Sequence, residues 1–199
     1  MKDRLKLLLF VLVLAFITSG VLLSVEALTA DRIQANQDAK IKSAILDAHD
    51  LEYNFGNINE VFEAEIDVYT SEGWTFYVNS ETNYVTFEFS GGGVWGPIEG
   101  ILTLQSDFET IQDVTILQQE ETPGLGGVIA ERPYLNTFVG KKMVPQFEIN
   151  KDPAPNADYE IDAIVGATNT SKRVEDFLNR DYLDAKEAWE SLNESGGLQ

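Results

Sequence analysis

Between Leu7 and Val25 the chain carries no charged side chain. At about 1.5 Å of rise per residue, a helix of that length spans a bilayer's hydrocarbon core. Lys2, Arg4 and Lys6 precede the run, and Glu26 and Asp31 follow it. The positive-inside bias then puts the first residues in the cytoplasm and the rest of the chain outside. A cleaved signal peptide shares the basic start and the apolar run. This run is long for one, and only Ala27 and Ala30 offer weak cleavage positions. The expectation is a single-pass anchor over residues 1–28 in the cell membrane.

The rest of the chain is acidic. Fourteen basic against 33 acidic side chains give a net charge of −19, and residues 1–28 are slightly positive. An acidic body is repelled by anionic lipid surfaces. It also lacks the basic face that nucleic acid requires, so no nucleic-acid partner is expected. The absence of Cys excludes disulfides, iron–sulfur clusters, thiolate nucleophiles and Cys-based zinc sites. A single His, His49, excludes sites that need two imidazoles and is expected at a helix end or on the surface. Any redox chemistry here must come from an organic cofactor. The length of 199 residues suits one domain with an appendage, and 44% apolar residues suffice for a core.

Residues 29–50 show an approximate helical stripe through Ile33, Ile41, Ala44, Ile45 and Ala48, with Thr29 as a cap. This predicts a connecting helix over 29–52 and a domain over 53–199. Within that domain, AEIDVYT, WTFYV, YVTFEF, GILTL and DVTILQQ read as strands. Turns fall at Ser71–Gly73, Asn79–Glu81 and Gln105–Asp107. Pro123–Pro155 reads mostly as loop, Ser171–Asn179 and Leu183–Leu192 as two helices, and Glu194–Gly197 as a frayed tail. The fold class is α+β: an antiparallel sheet with flanking helices, behind one transmembrane helix.

Three segments carry chemical interest. Gly91-Gly92-Gly93-Val94-Trp95-Gly96-Pro97 allows close backbone approach to a flat group or a phosphate, though glycine runs also make turns and bulges. Glu121-Thr122-Pro123-Gly124-Leu125-Gly126-Gly127 is a loop with special backbone angles, or a plain surface connection. Asp162-Ala163-Ile164-Val165-Gly166-Ala167-Thr168-Asn169-Thr170-Ser171 lies at a helix start. There, free N–H groups favour a phosphate, while Thr168, Thr170 or Ser171 suits an N-cap.

In order and type, the three segments resemble the FMN-binding domain family. That domain is shared by one membrane protein of the sodium-pumping NADH:quinone oxidoreductase (Nqr) and its counterpart in the Rnf ferredoxin:NAD⁺ oxidoreductase. The matched stretch runs from about Gly91 to Leu178, with Gly140-Lys141 where the family often has such a pair. The third segment resembles the flavinylation sequence Asp-x-x-Ser/Thr-Gly-Ala-Thr. Its flavin-bearing hydroxyl falls on Thr168, and Val165 stands where the family usually has Ser or Thr. The length resembles the Rnf member; Gly93-Val94-Trp95 and Gly126-Gly127 look more like the Nqr member.

The resemblance implies covalent FMN, joined through its phosphate to Thr168 by a separate Mg²⁺-dependent flavin transferase acting outside the membrane. It implies an electron-relay subunit within a larger membrane complex rather than an enzyme alone. Gly166 and Ala167 would keep space around the phosphate, and Asp162 would serve recognition or fix the loop. Glu121, Thr122, Leu125 and Gly126 would line the ring. Trp95 would pack nearby or join the core, and Lys141 would offset flavin charge or simply be exposed. A stand-alone flavinylated surface protein and a flavin-free anchored binding module are the alternatives.

Overall fold

A computed structural model describes residues 2–151 and 156–196. Residues 152–155 of the expected loop and Gly197 of the expected tail lie outside the described residues. The chain separates into two compact units between Lys40 and Ile41. The first is helical, being the larger part of α1 (Lys2–Ala48). Its apolar stretch is long enough to cross a membrane, and its large side chains, among them Phe16 and Leu22, are exposed. The hydroxyls in this unit bond back to helix carbonyls: Thr18 to Leu14, Ser24 to Gly20 at 2.7 Å, Thr29 to Val25 at 2.8 Å. Such back-bonding satisfies polar atoms inside an apolar helix. Thr29 is therefore no cap, because the helix runs through it without a break.

The second unit is built on a five-stranded antiparallel sheet in the order β1-β2-β3-β4-β5. The strands are β1 (Ile66–Ser71), β2 (Trp74–Asn79), β3 (Val85–Gly92), β4 (Pro97–Leu104) and β5 (Ile111–Gln118). The turn residues behave as their chemistry requires. Glu72 and Gly73 take positive φ of 51° and 88° between β1 and β2. Asn79 Oδ1 accepts the N–H groups of Glu81 and Thr82. Asp107 Oδ1 accepts those of Glu109 and Thr110.

Alternation along the strands serves two faces. On one, Ile101 and Ile66 pack with Ala44, Ile45 and Leu46 from the end of α1, and with Ile58 and Phe62 of α2 (Ile58–Glu65). On the other, Phe76, Phe87, Phe89, Leu102 and Leu104 pack against α4 (Thr168–Glu194). Phe108 stacks on Trp189 with ring centres 5.5 Å apart, and Phe76 meets the same indole edge-on at 5.1 Å. The stretch expected as loop contains a 3₁₀ helix (Gly126–Ala130), the short α3 (Arg132–Leu135) and β6 (Glu148–Asn150). β6 pairs in parallel with β7 (Glu160–Asp162).

The two expected C-terminal helices are one. The buried stripe of α4 runs without a gap through Val174, Phe177, Leu178, Tyr182, Ala185, Ala188 and Leu192, and no Gly or Pro interrupts it. Polar groups on its buried side tie it to the sheet and to β6. Asp181 accepts the Ser90 N–H at 2.9 Å, Glu175 accepts the Ile149 N–H at 2.7 Å, and the Asn179 amide pairs with both backbone groups of Phe147.

His49 sits just past the end of α1, as expected, but it is buried rather than on the surface. Its Nε2 is 2.9 Å from Thr86 Oγ1, which is 2.7 Å from Thr103 Oγ1. Burial pushes its pKa down to about 4, against a smaller upward pull from Asp50. The folded value thus lies below the unfolded one of about 6.5. The contribution of neutral His49 to stability is complete above that unfolded value and is lost as pH falls toward 4. Urea titrations at pH 7.5 and 4.5 should show His49→Gln losing about 2–3 kcal/mol less stability than the parent over this interval.

Candidate functional site

The three glycine-bearing segments meet at the N-terminus of α4. β3 ends in Gly91 and Gly92, and the chain turns at Gly93–Gly96, closed by Gly93 N–H to Gly96 O at 2.8 Å. The close approach that Gly91 permits is to the ring of Phe177 within the same chain, not to a ligand. The turn presents Val94 and Trp95, and the indole is 71% exposed, so Trp95 is not a core residue. The second segment leaves β5 and closes on Thr122 O, which accepts the N–H groups of Leu125 and Gly127. In the third, Gly166 at φ 82° reverses the chain into α4. Ser171 Oγ accepts the Ile164 N–H at 3.0 Å, pinning the loop from behind.

One carboxylate joins the segments. Glu121 Oε1 accepts the N–H groups of Val94 at 2.6 Å and Trp95 at 3.0 Å. Its Oε2 accepts the Thr170 hydroxyl at 2.7 Å. Burial pushes its pKa up, but the Thr170 hydroxyl, the two N–H groups and the Arg173 charge outweigh burial and leave it below the ordinary value. Glu121 is thus a buried, ionised clasp between the glycine turn and the helix start.

Around the clasp lies a cavity of about 420 Å³, within the range typical of small-molecule sites. Trp95, Glu121, Thr122, Leu125, Gly126, Gly166, Ala167 and Thr168 all line it. Asp162 and Lys141 do not. They line a neighbouring cavity of about 480 Å³ with Tyr134 and Val165. Asp162 Oδ1 accepts from Asn156, its backbone O accepts the Tyr134 hydroxyl, and Lys141 Nζ donates to Ala157 O. Sequence reasoning missed Val94, Lys151 and Asn169 as lining residues. Nothing in a solitary surface lysine marks Lys151. Thr170 was legible only as a cap, whereas it is the clasp's hydroxyl partner.

The donor set suits a phosphate joined to a flat ring. α4 is capped by Ala167 without any side-chain hydrogen bond, so its first N–H groups and positive dipole end stay available to an anion. Thr168, Asn169 and Lys151 stand at that end of the cavity, and Trp95 and Leu125 offer apolar surface. The bare backbone matters as well. A Cβ on Gly126 would lie 2.4 Å from Glu121 Oε2, and one on Gly166 would lie 3.1 Å from Leu125 Cδ2.

Residues 93–182, which include the clasp and the start of α4, match the model of the FMN-binding domain. Over this stretch the chain is similar to the FMN-binding domain. Its sequence relatives include the NqrC protein of the Na⁺-translocating NADH-quinone reductase of Yersinia pestis, 30% identical over 167 residues. The match covers 81% of this chain and 59% of the relative. The NqrC protein of Haemophilus ducreyi is 34% identical over 100 residues, covering 48% and 39% of the two chains. The chain thus spans roughly 40–60% of the length of these relatives.

Among solved structures, Shewanella oneidensis NqrC superposes with a TM-score of 0.66 at 17% identity, covering 74% of this chain and 93% of that one. The corresponding protein from Parabacteroides distasonis gives 0.61 at 22% identity, covering 74% and 90%. These likenesses establish the α+β fold. When bound, FMN supplies one- and two-electron redox chemistry. The cavity residues that would suit it are the helix start and Lys151 for a phosphate and Trp95 and Leu125 for a flat ring.

Proposed function

We propose that this chain is the flavin-carrying relay subunit of an Nqr-type sodium-translocating NADH:quinone reductase. In this reading the FMN is bound covalently to Thr168. A Mg²⁺-dependent flavin transferase supplies it from FAD. The Thr168 Oγ1–phosphorus bond forms, the FAD pyrophosphate bond breaks, AMP leaves, and the hydroxyl proton passes to solvent. The observation that carries the reading is the place of Thr168, the first residue of α4, on the wall of the cavity shared by all three segments.

The chain's own residues then have limited tasks. The first turn of α4 and Lys151 hold the phosphate, Trp95 and Leu125 seat the ring, and the Glu121 clasp fixes the turn that bears Trp95. No general acid, base or nucleophile is required of the protein, because the cofactor carries the electrons. The other membrane subunits of the complex are donor and acceptor. The basic start of the chain supports a cytoplasmic N-terminus with the FMN-binding domain on the extracytoplasmic side. A covalent link suits that location, since a lost cofactor could not be replaced from the cytoplasmic pool.

The test is mass spectrometry of the chain purified from cells that contain the transferase. The peptide containing Thr168 should carry FMN as a phosphoester. An unmodified peptide in a fully digested sample overturns covalent attachment.

A further inference from the structure

We infer that Glu121 is a positioning residue that sets the reduction potential of the flavin, holding it low with a fixed, buried negative charge. The inference rests on the FMN reading above and assigns one residue of that site its task. Glu121 is 4% exposed, yet it lines the cavity. Every partner of its carboxylate is a donor: two backbone N–H groups on Oε1 and the Thr170 hydroxyl on Oε2. Backbone N–H groups can only donate, so Oε1 must accept. A carboxylate meets this arrangement with full occupancy, and the charge is therefore built into the fold.

Bare backbone surrounds it. A Cβ on Gly93 would lie 2.5 Å from Oε1, and one on Gly126 would lie 2.4 Å from Oε2. The cation acting on the carboxylate is Arg173, whose guanidinium is exposed, one turn into α4, and reaches Gly92 O at 3.4 Å. Water screens the arginine more than it screens the buried anion. Lys151 and the helix start serve the phosphate end of the cavity, and Glu121 is the fixed anion on the wall beside the turn that bears Trp95.

Uptake of two electrons and one proton adds one negative charge to the flavin. A buried carboxylate on the cavity wall opposes that charge, and Arg173 favours it. The two side chains thus push the potential in opposite directions. A clasp with a merely structural role has no such signature. In Glu121→Gln the amide oxygen still accepts both N–H groups, and the amide nitrogen donates to Thr170 Oγ1. The geometry survives and only the charge goes.

The experiment uses the full chain, produced with the flavin transferase and purified in detergent. It is titrated anaerobically with dithionite as reductant against reference dyes. Glu121→Gln is expected to favour the reduced form at least tenfold, about 30 mV upward for a two-electron couple. Arg173→Gln is expected to move the potential downward. A Glu121→Gln potential equal to the parent's, or a shift of the same sign in both variants, overturns the inference. Where Glu121→Gln fails to fold or to carry flavin, Arg173→Gln decides alone, and an unchanged or raised potential overturns it. A parent chain without flavin sinks the FMN reading and this inference together; a flavin-bearing parent whose variants do not shift sinks this inference only.

Discussion

Thr168→Ala should reduce flavin that survives denaturation to background, seen as a dark band under ultraviolet light in a denaturing gel beside a fluorescent parent. The loss should be complete because neither of the two hydroxyls that follow on α4 can take over. Thr170 is buried and its hydroxyl donates to Glu121. Ser171 is fully buried, with its Oγ accepting from Ile164 N–H and donating to Ala167 O. Thr168 alone of the three lines the cavity with a hydroxyl free of these ties. Thr168→Ser should restore the fluorescent band. Neither change should unfold the domain, since the helix is capped by Ala167 without help from a side chain. The stability cost of the alanine should stay within about 0.5 kcal/mol in a urea titration. A bright alanine band would place the flavin elsewhere.

Gly91→Ala should be a severely damaging single methyl in the sheet. Its Cβ would lie 2.1 Å from Phe177 Cδ1 and 2.7 Å from Phe177 Cβ. The ring tip of a phenylalanine can swing away, but its Cβ moves only with the helix backbone. Phe177 also stacks on Phe89 with ring centres 6.0 Å apart, so its retreat disturbs a second contact. Overpacking of this kind costs about 3 kcal/mol. In a domain of this size that lowers Tm by about 6–12 °C, measurable by calorimetry. Gly92→Ala is the control. Nothing lies within 4 Å of its added methyl, and the change should stay within about 0.5 kcal/mol. Equal effects at the two positions would refute the packing argument.

Much of the fold was legible from periodicity. The strands show β-branched and aromatic residues in alternation because both faces of the sheet are covered, one by α2 and the end of α1, the other by α4. Asn79, Asp107 and Gly73 announced their turns through local hydrogen bonding and positive φ. Helix ends were less legible. Thr29 has the chemistry of a cap, yet a hydroxyl within a long helix bonds backward just as well. Residues 180–182 fall between the two expected helices, yet Asp181 among them is an anchor that α4 needs on its buried side.

At the site, motif order located the cavity but not its wiring. Glu121 bonds to groups 26, 27 and 49 residues away, two of them backbone N–H groups. Backbone donors leave no trace in side-chain identity, so the clasp could not be read in advance. Asp162 belongs to the third segment and Lys141 to the Gly140-Lys141 pair, but the fold turns both into the neighbouring cavity.

The clasp also makes tolerance to substitution a collective property. A methyl at position 126 strikes both Glu121 Oε2 and Thr170 Oγ1, the latter at 2.7 Å, so its penalty depends on which residues occupy 121 and 170. Double-mutant cycles among these positions should be strongly non-additive. A library that randomised one stretch at a time would find each nearly immutable. Joint variation of all three would reveal the epistasis, and with it the freedom this pocket has to drift.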